Sequence, residues 1–262
     1  MKRVLQSIYR DIKGVKIQGA TDIARAAVKA YLIEPTEQNE RKLISLRPTE
    51  PMLVNALAKL HDWPPNAIIG HFKESQEKIN SYVYKAIKGK KIIFTHCHST
   101  NVVKALLYSK KKGRKFSVFL TETRPLYQGR KAAGELASAG INVTVFVDSA
   151  LHEAISKSDI VLLGSDAILK EGIINKIGSS GIAEEAYRHK KPLYIVADSW
   201  KFSPKKVQIE ERDFHEVWKD APKHVTVKNP AFEKVDKKYI KGIVSEYGLL
   251  SYEEFLKEAG KD

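Results

Sequence analysis

The sequence predicts an α/β protein: a Rossmann-like parallel sheet with helices on both faces, preceded by a small helical N-terminal domain. Three observations carry this expectation. Apolar residues recur at helical spacing through residues 1–88. After residue 88, short and continuously apolar runs alternate with helical segments, the pattern of strands covered on both faces. Polar and charged residues gather just past each apolar run, where sheets of this kind bind ligands.

In the first region, Ile23, Ala26, Ala27, Ala30 and Tyr31 fall on one helical face, and Pro35-Thr36 breaks the pattern. Helical spacing resumes at Leu53, Leu57 and Leu60, and Trp63-Pro64-Pro65 ends it. A further helix is expected over residues 66–87, stopping near Gly89. The expected division is therefore a helical domain, 1–88, and a Rossmann-like domain, 89–262, that carries the site. In the second region strands are expected at 92–95, 116–121, 143–147, 160–164 and 193–197. Helices are expected between them at 102–109, 129–138, 151–156 and 182–189. No internal repeat or low-complexity segment is present.

Composition narrows the class. The 262 residues are 43% hydrophobic and 29% charged, ordinary for a globular protein able to bury a core without covalent staples. A single cysteine excludes an intrachain disulfide and fits a reducing, cytoplasmic setting. No apolar run approaches membrane-spanning length, and the first residues lack the apolar core of a secretory signal. The formal charge of +14 suits attraction to phosphate, on a small anion or a nucleic acid. The basic residues are spread along the chain, and no aromatic-interleaved basic motif accompanies them. A lysine-rich solvated surface with a local phosphate site accounts for the charge better than direct nucleic-acid binding does.

The expected strand ends carry Thr95-His96-Cys97-His98-Ser99-Thr100-Asn101, Thr121-Glu122-Thr123-Arg124-Pro125, Asp148-Ser149, Gly164-Ser165-Asp166-Ala167 and Ala197-Asp198-Ser199-Trp200-Lys201. One rim would thus hold a thiol, carboxylates, an arginine and a lysine. A lone cysteine is more often a small buried hydrophobe than a reactive group. Cys97, however, lies between two histidines just before an expected helix start, a setting that lowers a thiol pKa. Ser99 and Thr100 can cap that helix and leave backbone N–H groups for a phosphate. A metal on His96-Cys97-His98 is rejected, because adjacent residues on a strand alternate faces. Asp166 alone would suit a turn or a helix cap. Asn175-Lys176, alone a loop, can hold a phosphate or a sugar hydroxyl.

Taken together, these strings resemble the translation initiation factor 2B alpha/beta/delta subunits and the related methylthioribose-1-phosphate and ribose-1,5-bisphosphate isomerases. Similar strings occur there in the same order: Thr95–Ser99, Glu122-Thr123-Arg124-Pro125 with Gln128-Gly129, Gly164–Ala167, Asn175-Lys176-Ile177-Gly178, and Trp200-Lys201-Phe202. Asn229-Pro230-Ala231-Phe232-Glu233 and Ile243-Val244-Ser245-Glu246-Tyr247-Gly248 are also similar. The resemblance covers most of the chain. It implies that Cys97 and Asp166 are a catalytic pair and that Asn175, Lys176 and Lys201 bind substrate. The isomerases' N-terminal domain carries an Arg-Gly-Ala phosphate motif and an Arg-Pro-Thr motif, and Arg47-Pro48-Thr49 matches the second. Where those isomerases have Arg-Gly-Ala, this chain has Gln18-Gly19-Ala20, so the arginine is replaced by a neutral amide.

The activity so implied is aldose–ketose isomerisation of a ribose phosphate, such as ribose 1,5-bisphosphate. Phosphate would be held by Gly19, Ala20, Arg47, Ser99, Thr100, Arg124, Asn175, Lys176 and Lys201, with no cofactor and no metal. The alternative is a non-enzymatic regulatory subunit that binds a sugar phosphate or nucleotide and an initiation-factor partner. The resemblance further implies a homodimer.

Overall fold

The computed structural model describes residues 2–261. Five helices come first: α1 (Lys2–Lys13), α2 (Ala20–Ile33), α3 (Glu37–Leu46), α4 (Pro51–Lys59) and α5 (Pro65–Ala86). Their starts follow local chemistry. Thr36 accepts from the Asn39 N–H to cap α3, and prolines open α4 and α5, where a missing N–H costs nothing. Ile23, Ala27, Leu43, Leu53, Leu57, Ile68 and Phe72 form the apolar core of this region, and Trp200 reaches into it from far along the chain.

Strands and helices then alternate: β1 (Ile92–Thr95), α6 (Thr100–Lys111), β2 (Ser117–Thr121), α7 (Gln128–Ser138), β3 (Asn142–Phe146), α8 (Leu151–Ser156) and β4 (Ile160–Leu163). The order continues with β5 (Ala167–Leu169), β6 (Gly172–Lys176), α9 (Ser179–Arg188), β7 (Leu193–Val196), β8 (Phe232–Asp236), β9 (Gly242–Ser245), β10 (Gly248–Leu250) and α10 (Tyr252–Ala259). The main sheet runs β10-β9-β7-β4-β1-β2-β3, all parallel except the edge strand β10.

Helices cover both faces of this sheet. Val83 and Ile87 at the end of α5 pack with Val102 and Leu106 of α6 and Leu136 of α7 on one face. Ile155 of α8, Ile182 of α9 and Phe255 of α10 pack on the other. Helix α5 therefore serves two cores, with Ile68 and Phe72 in the helical region and Ile79 and Val83 against the sheet.

Every strand expected from sequence is present: β1 has the expected ends, and the others have ends shifted by one residue. The small antiparallel sheet β5-β6-β8 and strands β9 and β10 of the main sheet were not foreseen. Asn175 and Lys176 lie on β6, not in a loop. The chain order reverses between β1 and β4: β2 and β3 lie to one side, β7 and β9 to the other. That switch point is where a doubly wound sheet leaves a crevice at its carboxyl edge.

Candidate active site

Cys97 follows β1 and Asp166 follows β4, so they sit on the two sides of the switch point. Two small cavities adjoin there, of about 90 and 40 Å³, and both are lined by Gly19, Cys97, His98 and Asp166. The smaller is completed by Ala20, Ser99, Thr100, Asn175 and Lys201. The larger is completed by Arg47, Glu50, Lys176, Glu210, Arg212 and Glu216, among others. All the residues expected at the site thus come together except Arg124. That side chain is exposed, and it donates to the Tyr127 hydroxyl and to the Val217 carbonyl.

Two helix starts meet at the smaller cavity. Ser99 caps α6, its hydroxyl accepting from the Val102 N–H, and Gly19 precedes α2. A Cβ on Gly19 would lie 3.3 Å from Thr100 Oγ1, so the two starts are close neighbours. Unsatisfied N–H groups and the positive ends of two helix dipoles make this a place for an anion. Gly164 is also required here: a Cβ would stand 2.6 Å from that of Ser99, closing the crevice.

The backbone at Cys97 is in the left-handed region, φ 62°, as is Thr123, φ 62°, two residues past the end of β2. The Cys97 N–H donates to Thr123 Oγ1 at 3.0 Å, so the two unusual conformations hold each other. Strand β1 has ended before His96, so the strand alternation used to reject a metal does not apply to these residues. His96 and His98 diverge instead. His96 meets Thr121 Oγ1 and the Ile177 carbonyl, and His98 meets Glu135 at 3.0 Å. Because a carbonyl only accepts, His96 carries its proton on Nε2, and Nδ1 accepts from Thr121.

The electrostatics reverse one expectation. Burial pushes the Cys97 thiol up to about 12, and the carboxylates of Asp166 and Asp148 add to the rise. The His98 N–H and Lys176 pull the other way without prevailing. The helix start does not outweigh desolvation, so Cys97 is a thiol at neutral pH. Burial also raises Asp166 above the ordinary carboxylate range, against Lys201, Arg47 and Lys176. Burial and Asp166 carry Glu50 up to about 8. Lys176 is lowered by its own burial.

Glu50, Glu210, Arg212 and Glu216 were not read from the sequence. Arg47 donates to Glu210 at 2.9 Å and to Glu50 at 3.1 Å, and Arg212 pairs with Glu216. Among the described residues, Arg47 Nη1 and Glu50 Oε2 are buried without a hydrogen-bond partner. Such atoms are the ones a ligand can satisfy. Neither Lys16 nor Arg25 replaces the arginine missing at Gln18. Lys16 lies 3.8 Å from Asp11, and Arg25 lies over the Phe72 ring. Arg212 is a further cation lining the larger cavity.

Buried His96 gives a test of this environment. Burial lowers its pKa to about 4 from an ordinary 6.5, so the unfolded chain takes up this proton first as pH falls. The native advantage of wild type over His96→Gln should shrink by about 3 kcal/mol between pH 6.5 and 4, read by urea unfolding. A pH-independent difference would mean that the imidazole is already solvated.

Fold and site together define a doubly wound α/β protein with a buried cluster of acids and bases at its switch point. The chain belongs to the Initiation factor 2 subunit family, whose profile matches residues 64–252. It is 35% identical to a ribose 1,5-bisphosphate isomerase of Methanocaldococcus jannaschii, over 94% of this chain and 91% of that one. It is 32% identical to the Archaeoglobus fulgidus protein of the same name, over 95% and 90%. Among solved structures it resembles a Pyrococcus horikoshii translation initiation factor eIF-2B, with TM-score 0.86, 25% identity, and 96% and 98% of the two chains covered. A 5-methylthioribose 1-phosphate isomerase from the same organism gives TM-score 0.78 at 25% identity, over 98% and 87%. No helix among the described residues is long and apolar enough to cross a membrane.

Proposed function

We propose that the protein is a sugar-phosphate isomerase that converts ribose 1,5-bisphosphate to ribulose 1,5-bisphosphate. The observation that carries this is the placing of Cys97 and Asp166 on opposite sides of one switch-point crevice whose other walls hold cations, carboxyl groups and helix starts. The similarity to archaeal proteins named for that reaction supports the choice of substrate.

The reaction gives protons to the ring oxygen and C1, and takes them from C2 and the C2 hydroxyl. Asp166, biased toward its acid form, protonates the ring oxygen as the C1–oxygen bond breaks. The carboxylate so formed takes the Cys97 proton. The resulting thiolate is a strong base in its dry setting and removes the proton from C2. The same thiol then delivers it to C1, and the C2 hydroxyl proton returns to Cys97 as the ketone forms. Both groups end as they began.

One phosphate lies at the starts of α2 and α6 with Asn175 and Lys201; the other meets Arg47, Lys176 and Arg212. The test is incubation of the purified protein with ribose 1,5-bisphosphate. Ribulose 1,5-bisphosphate should accumulate, and its absence at high enzyme concentration refutes the proposal.

Four cations at the site, Arg47, Lys176, Lys201 and Arg212, face four carboxyl groups, Asp166, Glu50, Glu210 and Glu216. An arriving phosphate raises the pKa of its acidic neighbours. Calorimetry at pH 8, in buffers of different ionisation enthalpy, should show net proton uptake on sugar-phosphate binding, diminished in Glu50→Gln. Equal heats in all buffers would contradict this.

Gln18 favours a second reading, a regulatory subunit that binds the sugar phosphate without turnover and pairs with an initiation-factor subunit. A pull-down that recovers such a partner, with no turnover, would establish it. In either role we propose a homodimer, which sedimentation would reveal.

A further inference from the structure

On the sheet face that also carries α10, helices α8 and α9 pack side by side, with Ile155, Ile182 and Ala186 in one apolar cluster. Three metal-ligating side chains meet at one end of this pair. Glu185 and His189 are one helical turn apart and therefore point the same way from α9. His152 faces them from the first turn of α8. Glu185 Oε1 lies 2.5 Å from His152 Nδ1 and 2.9 Å from His189 Nε2, and the two ring nitrogens are 3.4 Å apart. The other carboxylate oxygen, Oε2, lies 3.5 Å from Arg188.

We propose that His152, Glu185 and His189 bind a divalent cation of the zinc class, which clamps α8 to α9. Without a cation, both ring nitrogens would need N–H groups aimed at one oxygen and crowded against each other. With one, three lone pairs converge on a common point. Tetrahedral zinc with bonds of about 2.1 Å separates its ligand atoms by about 3.4 Å. The two nitrogens already stand at that separation. The carboxylate oxygen has to withdraw by less than about 1 Å to complete the set. Two imidazoles and one carboxylate select zinc, cobalt, nickel or copper over magnesium or calcium. The His152 side chain is 66% exposed, which gives an ion a route in and leaves a position for water.

A second group of possible ligands, His71, Asp198 and Glu246, differs on this point. Its carboxylates already accept from Ser75 and from the N–H groups of Ser199 and Trp200 inside the protein. The clamp would also steady the helix whose first residue, Ser179, bonds Asn175 at the site.

The experiment is calorimetric titration of metal-stripped protein with zinc chloride, paired with cobalt(II) absorption spectra. One zinc per chain should bind with Kd of about 10 µM or tighter. Each of His152→Ala and His189→Ala should weaken it by about tenfold or more. Zinc should raise the Tm of the wild type but not of the double variant. No saturable binding in the wild type would overturn the proposal. So would affinity unchanged in the double variant, whether lost on His71→Ala or on Cys97→Ala, because the ion would then sit elsewhere.

Discussion

Replacing Cys97 by alanine should lower kcat by about 10²–10⁴-fold, the usual worth of a positioned proton-transfer group. Apparent affinity for the sugar phosphate should change by only a few-fold, because the cations proposed to hold phosphate are untouched. Product formation from ribose 1,5-bisphosphate measures both. The thiol also has a chemical signature. With its pKa near 12, Cys97 should react with iodoacetamide at pH 7 more slowly than a free thiol does. Wild-type rates in Cys97→Ala would remove this residue from the mechanism and leave Asp166 with water as the proton carrier.

The second large effect is expected at Arg47. Its side chain is 7% exposed and balances Glu50 and Glu210, and the pairing holds its pKa above the ordinary value despite burial. Arg47→Met keeps most of the volume and leaves two acids without their partner. Removing one member of a buried pair typically costs about 3–5 kcal/mol. Part of that cost returns through protonation of Glu50, whose pKa is already about 8. Urea unfolding at pH 8.5, where the acid would otherwise be ionised, should therefore show a larger loss than at pH 6. Adding Glu50→Gln should restore a good part of it. Phosphate affinity should not recover in the double variant, because the cation is still gone. A loss below about 1 kcal/mol at both pH values would mean that the cluster is solvated.

Much of this was legible in the residues. Strands β4 and β7 are unbroken apolar runs because both of their faces are covered, and such runs stand out. Cys97 and Asp166 could be placed because the end of a parallel strand is a predictable location. The small sheet was not legible. Strand β8, Phe232–Asp236, mixes charged and apolar residues, and β6 ends in Asn175-Lys176, which reads as a loop.

The acidic half of the site was hidden for a different reason. Glu210, Arg212 and Glu216 come from an irregular stretch between β7 and β8, where no periodicity indicates direction. Two local signals were available: Glu50 directly follows Arg47-Pro48-Thr49, and Arg212 and Glu216 are spaced as an i,i+4 ion pair. The thiol pKa was misjudged because sequence shows the helix start but not the depth of burial.

Helix α5 has a consequence for how the protein holds together. One rigid rod of 22 residues is pinned at its start in the helical core and along its later turns to the sheet. The two cores cannot melt independently unless this rod breaks or one of its ends is stripped bare. A chain begun at residue 89 would leave Val102, Leu106 and Ile93 facing water where Val83 and Ile87 now lie. Heat or denaturant should therefore produce a single unfolding transition. The same rod carries His71 and Gln76, which reach Asp198 and Asn101 beside Lys201, so bending it would disturb the pocket before either core came apart.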